Sequence, residues 1–137
     1  MIDIIVEGTM IAKAHEGDSG YDLKSAIALT MYPGDIRKIP TGTKIQLPKG
    51  YEGQVRSRSG LALKHGIHCL NSPGTVDSIF RGDVGVILHH AGTEPFVINI
   101  GDRVAQLVIA EVPDTRLVPG YVDATERGAD GFGSTGK

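Results

Sequence analysis

Apolar and polar residues alternate at a period of two along most of the chain, and turn residues interrupt the alternation roughly every eight to twelve positions. Side chains of a strand point alternately to two faces, so this pattern predicts short antiparallel strands with one buried face each. Strands are expected over Ile2–Val6, Ile36–Ile39, Thr43–Leu47, Glu52–Arg58, Val84–His89, Phe96–Ile100 and Val104–Val112. Between them lie Pro33-Gly34, Thr41-Gly42, Pro48-Lys49-Gly50, Ala91-Gly92-Thr93 and Gly101-Asp102, all of which carry turn chemistry. Helical spacing is confined to Leu61, Ala62, Leu63 and Lys64, with Ser59 placed to cap the helix and Gly66 to end it. The expected fold class is therefore all-β, a sandwich or barrel with one short helix.

The pattern changes near Gly120. Thr125–Lys137 holds Phe132 as its single large apolar residue, among Gly128, Gly131, Gly133 and Gly136, and such a segment builds no core. The chain thus divides into a β core over 1–120 and a glycine-rich arm over 121–137. By composition alone the arm reads as a disordered tail.

Composition narrows the function classes. The 137 residues suffice for one domain without disulfides, and the lone Cys69 excludes both an internal bridge and a metal cluster built on several cysteines. A net charge of −2 argues against a protein that coats nucleic acid or an anionic membrane, so any phosphate must be met by a local group of residues. The longest apolar run, Val84–Leu88, is far short of the ~20 residues of a membrane span. Met1-Ile2-Asp3 does not open an export signal, and a cytoplasmic location is expected. Glycine is abundant (19 residues) while aromatics are scarce (5%), so a ring set among exposed glycines has a task other than filling the core.

Five segments carry candidate chemistry, and each also has an ordinary structural reading. Ser19-Gly20-Tyr21-Asp22-Leu23 is either a turn entering a strand or a carboxylate fixed to reach the water shell of a hard cation such as Mg²⁺. Arg58-Ser59-Gly60-Leu61-Ala62 joins a guanidinium, a hydroxyl and the amides that open a helix, which together suit an anion. Asn71 to Gly82 is hairpin-like, carrying Asp77 and Phe80, and its backbone offers alternating donors and acceptors to the edge of a planar base. Gly101 to Leu107 is turn then strand, except that Gln106 is an amide in an apolar ladder and needs a partner. The arm combines Arg127, Phe132, Ser134 and Thr135 with glycines able to wrap a triphosphate. A zinc site from His68 with Cys69, or from His89 with His90, is disfavoured because adjacent strand residues face opposite sides.

In this order and spacing the segments resemble the five motifs of the trimeric deoxyuridine triphosphatase (dUTP diphosphatase) family, from Ser19 to Gly136. The resemblance implies a jelly-roll-like distorted β-barrel, a homotrimer, Mg²⁺, and hydrolysis of dUTP to dUMP and pyrophosphate, which keeps uracil out of DNA and supplies dUMP for thymidylate synthesis. It also implies roles. Asp77 orients the attacking water and meets the sugar 3′-hydroxyl, while Asp22 stands in the outer shell of the metal. Arg58, Ser59, Gly60, Gln106, Arg127, Gly133, Ser134 and Thr135 belong to the triphosphate, Phe132 stacks on uracil, and Asn71, Gly74, Thr75, Val76 and Phe80 receive base and sugar. The base pocket, the triphosphate site and the closing arm are expected from three different subunits.

Two positions depart from the family pattern. Phe80 stands where a tyrosine is usual, so the ring is kept and its hydroxyl lost, and Asp130 precedes Gly131 where the family shows paired glycines. A related deaminase on the same fold would need a glutamate where this chain has Ile87, and an aliphatic side chain moves no protons. A non-catalytic trimer would have no need of the charged set Asp22, Arg58, Asp77 and Arg127.

Overall fold

The computed structural model describes residues 1–136; Lys137, the last residue of the arm, lies outside them. Eleven strands and one helix follow in the order β1 (Ile5–Gly8), β2 (Gly20–Lys24), β3 (Leu29–Met31), β4 (Ile36–Ile39), β5 (Thr43–Gln46), β6 (Tyr51–Arg56), α1 (Ser59–His65), β7 (Ile67–Cys69), β8 (Gly74–Val76), β9 (Val86–His90), β10 (Phe96–Ile98) and β11 (Arg103–Glu111). They pair antiparallel in four sheets: β2-β11-β6-β8, β4-β9-β7, β1-β5 and β10-β3. Together the sheets form the jelly-roll-like barrel that the family resemblance implied, the alternation having anticipated its all-β class.

Period-two burial explains the packing. In β9, Val86, Leu88 and His90 are buried while Ile87 and His89 are half-buried on the other face. Leu23, Met31, Ile39, Leu88, Ile98 and Leu107 are fully enclosed, and no phenylalanine or tyrosine is. The buried His90 is satisfied on both nitrogens: Nδ1 accepts from the Gly92 amide at 3.0 Å, and Nε2 donates to the Glu94 carbonyl at 2.5 Å. It is a core histidine with a fixed tautomer. Cys69 is buried too, and desolvation pushes its thiol pKa up, partly opposed by a hydrogen bond from Ser57.

Three expectations need correction. The first strand runs over Ile5–Gly8 rather than Ile2–Val6, because its antiparallel partner β5 spans only Thr43–Gln46. The strands β3, β7 and β8 are three residues each, too short to show a period, and tertiary pairing alone makes them strands. Ser59 does not cap the helix. Arg58 is the capping residue by its extended backbone, no side chain caps it, and Ser59 is the first helical residue with its hydroxyl left for other uses. Gly66 does end the helix, at φ 68°, where a Cβ would lie 2.5 Å from the Gly92 amide nitrogen.

Candidate active site

The long strand β11 organises one end of the barrel. It pairs with β2 on one side and β6 on the other, and its register sets Gln106 opposite both Asp22 and Arg56. Residues directly opposed across a ladder share a face, so the first and fourth segments meet there. The second arrives because β6 runs out at Arg56 and the chain turns through Arg58 into α1. Asp22, Arg58, Ser59, Gly60, Arg103 and Gln106 line one cavity of about 330 Å³, with Ala14, His15, Asp18, Ser19 and Gly20 on its rim.

Its charges are interlocked. Arg58 Nε lies 3.8 Å from one Asp22 oxygen and Arg103 Nη1 3.6 Å from the other, while Arg58 Nη1 also donates to the Arg103 carbonyl at 3.2 Å. Two guanidinia converge on the one Asp22 carboxylate, and a polyanion entering the cavity would find both of them at its wall. Gln106 has the partner that its position demanded: Nε2 donates to the Ser57 carbonyl at 3.0 Å. Its amide oxygen presses on Gly20, where a Cβ would stand 2.3 Å away. Arg103 was missed as a site residue, since an arginine after Gly-Asp reads as an exposed turn charge until the register of β2 and β11 is known.

A second cavity, of about 160 Å³, gathers Asn71, Gly74, Thr75, Val76 and Phe80 from the hairpin segment. Lys38, Val55, Asp83, Gly85 and Ile87 complete its walls. The lysine belongs to β4, more than thirty residues before the hairpin, and no sequence signal marked it. Its stem lies over Gly85, where a Cβ would be 2.7 Å from Cε. Ile87 does face this cavity, so the position where a deaminase would place its proton carrier holds an aliphatic chain.

Asp77 lines neither cavity. It is exposed at the turn of the segment, its carbonyl accepting from the Phe80 amide at 3.0 Å, beside a hollow shared with Lys49, Tyr51, Ile79 and Val112. The arm is separate again. After the bond from the Val112 amide to the Gly50 carbonyl, every hydrogen bond found among the described arm residues stays within the arm. Arg127 Nε donates to the Asp130 carbonyl at 2.8 Å, and Arg127, Phe132, Gly133, Ser134 and Thr135 curl around a common hollow. Phe132, at φ 53°, is fully exposed, as are Leu117, Tyr121 and Val122.

An all-β barrel whose end cavity holds two guanidinia bridged by one carboxylate suits a phosphate-bearing ligand, and comparison with known proteins makes the class specific. A family model described as dUTPase matches residues 6–136. Deoxyuridine 5′-triphosphate nucleotidohydrolases of Rhizobium etli and Clostridium novyi are 53% and 52% identical over 126 residues, covering 88% and 90% of this chain and 81% and 88% of theirs. The dUTPase of Staphylococcus bacteriophage 80alpha, solved with dUPNHPP, superposes with a TM-score of 0.86 at 26% identity, over 100% of both chains. The chain belongs to the dUTPase family.

Proposed function

We propose that the chain hydrolyses dUTP to dUMP and pyrophosphate in a site completed by three copies of itself. The observation that supports this most directly is the separation just described. Within one chain the phosphate cavity, the base cavity and the arm share no lining residue, yet each is furnished for a different part of one nucleotide. The arm and the residues leading into it also expose Leu117, Tyr121, Val122 and Phe132, large apolar side chains that a lone chain gives no cover.

In this reading Asn71, Gly74, Thr75 and Val76 receive the uracil edge, and Phe80 lies against the deoxyribose, where a ring leaves no room for a 2′-hydroxyl. Arg58, Ser59, Gly60 and Gln106, joined by Arg103, hold the phosphates of a nucleotide whose base sits on a neighbouring copy. The third copy's arm brings Arg127, Gly133, Ser134 and Thr135 to the same phosphates and Phe132 to the base. Asp77 orients and deprotonates the water that attacks the α-phosphorus in line, while the guanidinia meet charge growing on the departing pyrophosphate.

Mg²⁺ suits this donor set in one manner. Among the described residues no three His, Cys, Asp or Glu side chains converge, and both Asp22 oxygens already face guanidinia. Asp22 would therefore hold the ion through water rather than directly. When bound, the ion would neutralise charge on the phosphate oxygens. No helix among the described residues is long and apolar enough to cross a membrane.

Incubation with dUTP, dCTP or UTP, with and without Mg²⁺, tests the assignment. The expected result is dUMP with pyrophosphate from dUTP alone, strongly suppressed by chelation. Three orthophosphates per nucleotide, or ammonia from dCTP, would overturn it.

A further inference from the structure

Two histidines outside the nucleotide site converge in a way that neither their neighbours in sequence nor the hydrolytic reaction explains. His68 on β7 and His89 on β9 are directly opposed in the antiparallel register. Their imidazoles meet edge to face, with His68 Nε2 and His89 Nδ1 only 2.8 Å apart. Both side chains are half-buried on the face of the sheet opposite the core, and the adjacent Cys69 and His90 point inward. The juxtaposition is therefore made by cross-strand pairing, and it joins a different pair from the His68–Cys69 and His89–His90 neighbours that the sequence offers.

We propose that His68 and His89 form a two-imidazole chelate for a late first-row divalent ion of the nickel and copper class, distinct from the Mg²⁺ of the nucleotide site. Three observations carry this. First, two nitrogens bound at about 2.0–2.1 Å and at right angles around a metal stand about 2.9 Å apart, so the hydrogen bond that joins this pair at 2.8 Å already holds both nitrogens within reach of one ion. Second, His68 Nδ1 lies 3.2 Å from the Cys69 carbonyl, to which it donates, and this presents a lone pair at Nε2. A ligating histidine commonly has its other N–H held by a carbonyl in this way. Third, the two strands are clamped to the barrel, since β9 pairs with β4 on its far side and the Cys69 amide donates to Ser57 Oγ at 2.8 Å, so little backbone motion accompanies capture of an ion.

The empty pair contains one N–H···N hydrogen bond. With His68 carrying its proton on Nδ1, the bridging proton belongs to His89 Nδ1. Ion capture moves that proton to His89 Nε2 by tautomeric exchange through water, so no net proton is released and both facing nitrogens become lone-pair donors. With no third protein ligand among the described residues, water completes the coordination shell and the ion remains exchangeable. Affinity should follow copper above nickel above zinc, with Mg²⁺ not competing. A captured ion would tie β7 to β9 and raise the unfolding midpoint in proportion to its occupancy.

The test is titration of Ni²⁺ into the full-length protein in the presence of excess Mg²⁺, read by calorimetry, alongside His68→Gln and His89→Gln. The expectation is one strong site per chain, weakened about tenfold or more in either variant, with dUTP turnover in Mg²⁺ unchanged. His15→Gln and His65→Gln, which remove exposed imidazoles outside the pair, should leave the strong site intact. Should either strand variant fail to fold, Cu²⁺ bound to the wild type at one equivalent still decides the matter: hyperfine splitting from two equatorial imidazole nitrogens is expected in its electron spin resonance spectrum. Absence of a one-per-chain site, a site that survives both strand variants, or a one-nitrogen copper spectrum would each mean that the pair is a hydrogen bond and nothing more.

Discussion

Arg58 and Arg127 carry the same guanidinium, and the barrel and the arm hold them in opposite ways. Arg58 is fixed by residues distant in the chain: Asp22 from β2 and the carbonyl of Arg103 from β11 converge on it. Arg127 is held by the Asp130 carbonyl, three residues away. On the proposed reading the barrel therefore organises its phosphate ligands before any nucleotide arrives, whereas the arm keeps only a local shape of its own. A site built from both, as proposed, would combine a rigid floor with a separate cover, and the barrel core would not depend on the arm, because it contains no arm residue.

The sharpest break of this contrast separates loss of chemistry from loss of cover. Asp77→Asn should lower kcat by on the order of 10²–10⁴, with melting unchanged, because the exposed carboxylate holds no tertiary bond. Deletion of 125–137 should also abolish turnover at an unchanged melting temperature. Co-refolding the two inactive chains should restore activity, in those mixed trimers where a truncated chain's Asp77 meets the substituted chain's arm. Hybrid trimers seen by mass but silent in assay would show that each arm serves its own Asp77.

How much of this could be read from sequence depends on whether a feature is local. The strand β11 was legible because nine residues suffice to display an alternation, and Gln106 stood out as an amide inside it. The strand β2 was visible only as a motif, since Gly20 and Asp22 blur the period and Leu23 alone is fully buried. Arg103, Lys38 and the His68–His89 pair were not legible at all. Each depends on which strand lies beside which and in what register, and for Arg103 also on a bulge between Arg103 and Ala105, so no spacing along the chain encodes it. The arm shows the converse: its composition announced that it builds no core, but its turns at 127–130, 131–134 and 133–136 are too short for periodicity to reveal.

Glycines sharpen the comparison at a smaller scale. Gly20 sits under Gln106, and an added methyl would lie 2.3 Å from Oε1 and 3.0 Å from Cβ of a residue on β11, which is paired on both sides. Gly20→Ala should cost about 1–3 kcal/mol in denaturant unfolding and raise KM for dUTP, since Gln106 must leave its bond to Ser57. Gly131→Ala meets nothing nearer than Arg127 Nη2 at 3.8 Å, so unfolding should stay within about 0.5 kcal/mol of wild type. Equal stability losses in the two variants would mean that the arm is packed on a barrel as firmly as β2 is.

The smallest effect is expected where the chain departs from its family. Phe80 lies between the two regimes, anchored to the barrel yet 44% exposed. Its Cζ is the atom that a Cβ on Gly82 would strike, at 2.6 Å, so the ring leans on a glycine that exists to receive it. Phe80→Tyr places a hydroxyl on that same Cζ. If the ring behaves as part of the rigid barrel, the oxygen has no room and the hairpin must shift, with a measurable loss of stability. If it behaves as the exposure suggests, a small pivot carries the hydroxyl into water, and kcat/KM for dUTP changes by no more than about threefold, under 1 kcal/mol of barrier. The second outcome is expected, with the preference for dUTP over UTP kept or improved, because the ring face that excludes a 2′-hydroxyl is the same in both side chains. A folded Phe80→Tyr variant that has lost dUTP turnover would place this hairpin with the rigid floor.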